Sequence, residues 1–184
     1  MSDHEAVKIA EQAERRWAHI VFATIGVLVL VMVLVSWHWA AMPPSRVETV
    51  DLATVQTKGE FIEDNLGTTL DRDGKVTVRL IAQQYSFSPQ CLAVPAGIPV
   101  TFRATSTDAI HGFVITGTNA NTMIVPGFIS TFTTTFGKTG DVAMPCHEYC
   151  GIGHEAMWAH VQIIAAEEFL EKARKGERVG CVSR

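Results

Sequence analysis

Residues 146–157 have the sequence Cys-His-Glu-Tyr-Cys-Gly-Ile-Gly-His-Glu-Ala-Met, which contains four side chains that bind soft metals. Cys146, Cys150, His154 and Met157 follow one another at spacings of four, four and three residues. Thiolate and imidazole ligands suit copper, zinc and iron–sulfur clusters, and a thioether favours copper. Two glycines between these residues let the backbone curl. The stretch therefore predicts a metal-binding loop that needs a rigid fold around it.

Short segments in which apolar and polar residues alternate lie on both sides of this loop, as in half-buried strands. The predicted strands are residues 76–80, 100–105, 112–115, 121–125, 132–136, 141–144 and 158–164. No helical segments lie between them, so the pattern favours an all-β Greek-key sandwich or barrel. We expect this metal domain at residues 71–165, after a linker at 41–70 that opens with Met42-Pro43-Pro44. A short amphipathic helix and a tail follow at 166–184.

A long apolar segment lies near the N-terminus. Residues 20–35 are almost unbroken Val, Leu, Ile, Phe, Ala and Met, and with the flanking tryptophans Trp17, Trp37 and Trp39 the segment can span a bilayer. A cleaved signal peptide is the competing interpretation, but the apolar run is too long for one and no A-x-A cleavage site follows. Residues 1–40 are therefore predicted to be a cytoplasmic N-terminus and one retained transmembrane helix.

The basic residues predict the orientation of this helix. Lys8, Arg15 and Arg16 precede it and only Arg46 closely follows it. The positive-inside rule then places the N-terminus in the cytoplasm and the metal loop in the periplasm or its equivalent. The formal net charge is −4 and there is no basic run, so nothing in the sequence indicates a nucleic-acid partner.

His111 is the candidate for one more ligand. It lies between two predicted strands and a glycine follows it, although a lone histidine in such a loop is often only a solvated surface residue. A Cys₂His₂ zinc site would leave Met157 unused. A single blue copper needs one thiolate, not two. Two copper ions bridged by both thiolates would use every ligand, and a Cys146–Cys150 redox switch would leave His154 unexplained.

The run Cys-x-Glu-x-Cys-Gly-x-x-His-x-x-Met with an upstream histidine resembles the dinuclear copper (CuA) site of cytochrome c oxidase subunit II. The resemblance extends over about residues 14–164. The single N-terminal anchor is similar to the ba-type, or B-branch, haem–copper oxidases. The resemblance implies a cupredoxin-like Greek-key sandwich as the fold of the metal domain.

The copper ligands implied by this resemblance are His111, Cys146, Glu148, Cys150, His154 and Met157. The two cysteines would bridge both copper ions. The upstream histidine and the methionine would complete one ion, and the downstream histidine with the backbone carbonyl of the glutamate the other.

The resemblance also implies a function. The chain would be a membrane-anchored electron-transfer subunit that takes electrons from a soluble donor such as cytochrome c and passes them to the haem of the catalytic subunit I. It has no catalytic residues of its own, and the enzyme is the complex, because this chain lacks haem-binding helices and does not reduce oxygen alone.

The resemblance raises three further expectations. In many members of the family the carboxylate equivalent to Glu148 reaches a magnesium ion at the subunit interface, which the B branch does without. Similar B-branch chains place a glutamate like Glu14 at the mouth of a proton pathway, although a solvated helix-end charge is the competing interpretation. Cys91 and Cys181 depart from the family pattern and could form a disulfide if both lie outside the cytoplasm.

Three alternatives stay open at this point. A copper-containing nitric oxide reductase uses a similar subunit. A thioredoxin-like copper chaperone also carries C-x-x-x-C and a distant histidine, but needs βαβ units. A structural zinc module would be colourless, whereas the copper centre would absorb visible light.

Overall fold

The computed structural model describes residues 3–39, 47–175 and 179–181. The predicted start of the linker at residues 42–44, Arg46 and the side chain of Trp39 lie outside what it describes. The chain divides into two compact units, Met1–Arg46 and Val47–Arg184. The helices and strands are α1 (Asp3–Trp39), β1 (Gly67–Leu70), β2 (Val76–Gln83), β3 (Ser86–Ser88), β4 (Cys91–Pro95), β5 (Pro99–Ser106), β6 (His111–Val114), β7 (Asn121–Ile124), β8 (Ser130–Thr135), β9 (Gly140–Pro145), β10 (Trp158–Ile164) and α2 (Ala166–Arg174).

Helix α1 forms the N-terminal unit. Its stretch Val7–His38 is long and apolar enough to cross a membrane. Aliphatic side chains such as Leu30 and Val33 are more than half exposed within the chain. A continuous apolar surface of this length is unfavourable in water, so it is suited to the hydrocarbon of a bilayer.

Two main sheets form the second unit. The first has the strand order β1-β2-β5-β8, with β3 added to β2, and the second has the order β4-β10-β9. Strands β6 and β7 form a separate antiparallel pair. The pairs β2–β5 and β4–β10 are parallel, and the other pairs are antiparallel. The predicted all-β architecture with an N-terminal apolar helix and a short C-terminal helix is confirmed.

The core lies between these sheets, toward which strands such as β2, β5 and β10 direct alternate apolar residues. Leu80 of β2, Phe102 of β5 and Val161 of β10 are fully buried in one apolar cluster. Each such side chain contributes roughly 1.5–3 kcal/mol when it leaves water. Cys146 and Met157 belong to the same cluster, so the metal loop is packed into the end of the sandwich.

All seven predicted strands are present, and three further strands were not predicted. Strand β3 is only three residues long, too short for its alternation to be recognised, and β4 is almost wholly buried, so it does not alternate. Strand β1 lies within residues 41–70, where the sequence predicts a linker. In the same stretch Val55 and Phe61 are buried against Ile81, on the opposite side of β2 from the main core.

Ion pairs attach the segment before β1, which contains Val55 and Phe61, to the sheet. Arg103 on β5 donates from Nε and Nη2 to the two carboxylate oxygens of Glu60, each at 2.6 Å, and also pairs with Glu48. Forked pairing of this kind is among the strong hydrogen bonds in proteins. The hydrogen bonds that it donates to Glu60 and Glu48 raise the pKa of the Arg103 guanidinium, so it stays charged.

A disulfide joins the tail to the sandwich. Cys91 on β4 is bonded to Cys181, 90 residues further along the chain. Val179 just before it is buried, and so is Phe169 of α2. The covalent link therefore fixes the C-terminal segment against the sheet that also carries β9 and β10.

We expect the double substitution Cys91→Ser/Cys181→Ser to lower the free energy of unfolding by about 2–5 kcal/mol, because it frees a long loop in the unfolded chain. Denaturant unfolding of the full chain in detergent measures this loss. The native chain without reductant is the control, and an unchanged midpoint in the double variant would contradict a stabilising tether.

Candidate metal centre

The loop at residues 146–157 connects two neighbouring antiparallel strands. The backbone N–H of Cys146 donates to the carbonyl of Met157 at 3.0 Å, which continues the β9–β10 ladder by one rung. The N–H of His147 donates to the carbonyl of Gly112 at 3.1 Å, and Phe113 forms an isolated bridge with Cys146. These contacts attach the loop to β6, whose first residue is His111.

The six residues that the sequence predicts as ligands converge here. The nitrogen or sulfur atoms of His111, Cys146 and Cys150 lie within 4.8 Å of one another. The two thiol sulfurs are 4.0 Å apart, and Sγ of Cys146 is 3.3 Å from the carbonyl oxygen of Glu148. Sγ of Cys150 is also 3.6 Å from Nδ1 of His154 and 3.7 Å from Sδ of Met157.

The orientation of His111 leaves one of its ring nitrogens without a partner among the described residues. Its Nε2 lies 2.9 Å from Oδ1 of Asp108, and because a carboxylate accepts, Nε2 carries the proton. Nδ1 then has a free lone pair. This atom is buried and has no hydrogen-bond partner among the described residues. A buried polar atom without a partner is rare in proteins, and binding a metal ion would satisfy it. The donor set therefore fits a soft metal.

Hydrogen bonds also hold Asp108, the residue that orients His111, in place. Burial alone would raise the pKa of its carboxyl, but hydrogen bonds from the backbone N–H of Gln84, from His111 and from the N–H of Ala109 together lower it. The carboxylate is therefore charged at neutral pH. A carboxylate behind a histidine in this way fixes the ring and raises its basicity as a ligand.

The thiols are kept from water. Cys146, Cys150 and Met157 are each less than one-tenth exposed. Burial and the neighbouring Cys146 thiol raise the pKa of the Cys150 thiol to about 11. Without metal this thiol is protonated at neutral pH, so binding a metal here releases a proton.

Two glycines let the loop pass under an aromatic ring. Gly151 has a φ of +136°, which favours glycine. A Cβ on Gly153 would lie 2.7 Å from Cδ2 of Tyr85, a contact that real side chains do not make. Tyr85 thus covers the loop where it lacks side chains.

The remaining predicted residues lie elsewhere. Glu14 is exposed on α1, and Cys91 and Cys181 form the disulfide described above. Asp108, Gln84 and Tyr85 contact the centre but were not predicted. An aspartate three residues before a candidate histidine ligand is a sequence signal that could have identified the first. The other two act through the β2–β3 turn, whose position depends on the folded sheet.

Comparison with known proteins identifies the family. A family model described as "Cytochrome C oxidase subunit II, periplasmic domain" matches residues 33–164. The chain belongs to the cytochrome c oxidase subunit II family. It is therefore a subunit of an oxidoreductase complex, and membership implies a catalytic subunit I as its partner.

The relatives agree with this family. The chain is 30% identical over 165 residues to a cytochrome c oxidase subunit 2 of Thermus thermophilus, which covers 89% of this chain and 98% of the relative. It is 33% identical over 122 residues to another Thermus thermophilus subunit 2, which covers 66% of this chain and 90% of that one. A chain of a haem–copper terminal oxidase dimer, solved by cryo-electron microscopy, is similar with a TM-score of 0.50 and 26% identity, covering 80% of this chain and 99% of that chain.

These findings confirm the predicted family and the predicted fold class. The chain has the cupredoxin-like, copper-binding fold of its family, and the family itself is the one that the sequence motif resembles. The N-terminal apolar helix is consistent with a single-pass membrane subunit.

We expect Gly153→Ala to lower the free energy of unfolding by about 1–3 kcal/mol, because the new methyl group overlaps the Tyr85 ring. Thermal unfolding of the metal-free chain measures this. Gly137→Ala is the matched control, since nothing lies within 4 Å of a Cβ there. Adding Tyr85→Ala should remove most of the Gly153→Ala penalty, and additive effects in the double variant would contradict the overlap.

Proposed function

We propose that this chain is the electron-entry subunit of a haem–copper oxidase and that it holds two copper ions as a CuA centre. The observation that supports this most is the set of donor atoms. Two buried thiols 4.0 Å apart are accompanied by two imidazoles, a thioether and a carbonyl, which is more than one ion uses.

The assignment of ligands is the one that the family resemblance implies. Cys146 and Cys150 would bridge the ions, His111 and Met157 would complete one, and His154 with the Glu148 carbonyl would complete the other. Zinc is satisfied by four ligands and has no use for a thioether. Two copper ions held by these residues would supply a site that accepts and releases one electron, with the softness and geometry of the ligands setting its potential.

The protein keeps this site rigid and dry. His111 and Met157 are fully buried, and the cysteines almost so. His111 begins β6, Cys146 directly follows β9 and Met157 directly precedes β10, so the sandwich core restricts the movement of these three residues. Little rearrangement on electron transfer is what a fast carrier needs.

The electron donor is proposed to dock beside His154. This histidine is the partly exposed imidazole of the set, and the Tyr149 ring lies 5.8 Å from it. Around it Tyr149 is 72% exposed, Ile152 89% and the Trp158 indole 48%. Large apolar side chains at the surface next to a redox site suit a soluble protein donor such as cytochrome c, because they add contact area on docking.

The N-terminus is proposed to lie in the cytoplasm and the copper domain outside it. The excess of basic residues before the helix supports this orientation. So does the Cys91–Cys181 disulfide, since such bonds persist in oxidising compartments. A proton-pathway role for Glu14 and a magnesium ion at the Glu148 carboxylate both stay predictions.

The chaperone alternative is disfavoured by the fold. A thioredoxin-like protein needs βαβ units, and within the described part of the second unit the single α-helix follows the last strand. No structural observation favours nitric oxide over oxygen as the final acceptor, and the named relatives are cytochrome c oxidase subunits.

The direct test is Cys150→Ser in the purified oxidase complex. We expect the complex to assemble but to lose more than about 90% of the rate of electron entry from reduced cytochrome c, because one bridging thiolate is gone. Stopped-flow absorbance of the donor measures this rate. A full native rate in a variant shown to contain less copper would overturn the proposed function.

We expect Ile152→Glu to slow donor oxidation about 10-fold, because it places a charge in the apolar docking patch, while copper content and visible spectrum stay native. The measurement is the second-order rate constant for reduced cytochrome c. Leu52→Glu is the control, an exposed apolar residue outside the patch. Equal rates for both variants and the native complex would contradict docking at Ile152.

A further inference from the structure

Gln84 forms hydrogen bonds to two parts of the metal centre, the Asp108 carboxylate behind His111 and the main chain of Cys150. It lies between β2 and β3, and its backbone N–H donates to Oδ2 of Asp108 at 2.7 Å. Its side-chain amide donates to the backbone carbonyl of Cys150. One residue therefore touches the carboxylate that orients His111 and the main chain of a bridging cysteine.

The two arms reach different residues of the metal centre. Through Asp108 the backbone arm ends at His111, whose Nδ1 is buried without a partner among the described residues and whose imidazole has a ring nitrogen within 4.8 Å of both thiols. The side-chain arm ends at Cys150, whose Sγ lies near Cys146, His154 and Met157. His111 begins β6 and Cys150 lies in the metal loop, and Gln84 joins them from the β2–β3 turn.

We propose that Gln84 is a positioning residue of the copper centre, which sets the placement of Cys150 relative to His111 and tunes the reduction potential. This inference rests on the proposed function. The amide N–H points the positive end of its dipole at the Cys150 peptide, beside the bridging thiolate. Reduction adds negative charge at the site, so the donor stabilises the reduced state and raises the potential.

The geometry allows the two arms to be separated. The hydrogen bond to Asp108 comes from the backbone, so side-chain substitutions retain it. They change only the arm to Cys150. Gln84→Met keeps the length of the side chain but has no hydrogen-bond donor. Gln84→Glu keeps the shape of the side chain but places a carboxylate against the carbonyl of Cys150. Gln84→Lys restores a hydrogen-bond donor and adds a positive charge.

The experiment uses the full chain in detergent, loaded with copper, and measures three quantities. These are the reduction potential by spectroelectrochemistry, the rate of copper loss to a Cu(I) chelator, and the melting temperature of the metal-free chain. Gln56→Met is the matched control, because Gln56 lies exposed in the segment before β1.

The prediction is the order of the reduction potentials of the variants. The potential should fall in Gln84→Met and further in Gln84→Glu, and should return to the native value or above it in Gln84→Lys. Copper loss should be about 10-fold faster in Gln84→Met, as for other residues behind metal ligands, and native in Gln84→Lys and Gln56→Met.

Two results would overturn this inference alone. The first is a native potential and a native copper-loss rate in both Gln84→Met and Gln84→Glu. The second is an equal shift of the potential in all three variants together with a lowered melting temperature, which indicates a structural role only. A native chain that binds zinc but no copper would instead overturn the proposed function, and this inference with it.

Discussion

One backbone hydrogen bond defines the whole centre. The bond from Cys146 to Met157 makes the metal loop a closed excursion from the β9–β10 ladder, so that its first and last ligands lie side by side. The other candidate ligands of the loop, Glu148, Cys150 and His154, lie between these two residues. Because the rung is also part of the sandwich, the position of the candidate ligands depends on packing around the sheets as well as on the loop itself.

The site is organised to accept charge that the protein alone would not bury. Two thiols are packed into an apolar cluster, and burial keeps the Cys150 thiol protonated until a metal replaces the proton. The imidazole of His111 is held by Asp108 through Nε2, which leaves the buried Nδ1 without a partner among the described residues. A buried ring nitrogen without a partner distinguishes this site from an ordinary buried polar cluster, whose groups satisfy one another.

The sequence predicted the donor side chains of the loop and most of the strands, since both have short-range signals. The spacing from Cys146 to Met157 is local, and so is the alternation in β2, β5 and β10. Contacts between distant segments could not be predicted in the same way. The register that brings Gln84 to Cys150, 66 residues away, depends on how β2 pairs with β3 and β5. Strand β4 has no polar alternation because it is buried on both faces, so its pattern does not differ from that of other apolar runs.

Membership of the family accounts for a domain of this fold behind an N-terminal apolar helix, and two copper ions that share both thiolates would account for the second cysteine. The central claim is that this chain binds two copper ions that share both thiolates. The most direct measurement is metal content together with electron paramagnetic resonance of the full chain in detergent. We predict two copper ions per chain and a multi-line signal from one unpaired electron that is shared by the two copper ions. One zinc ion per chain and no signal would contradict the account, and so would one copper ion with a four-line signal.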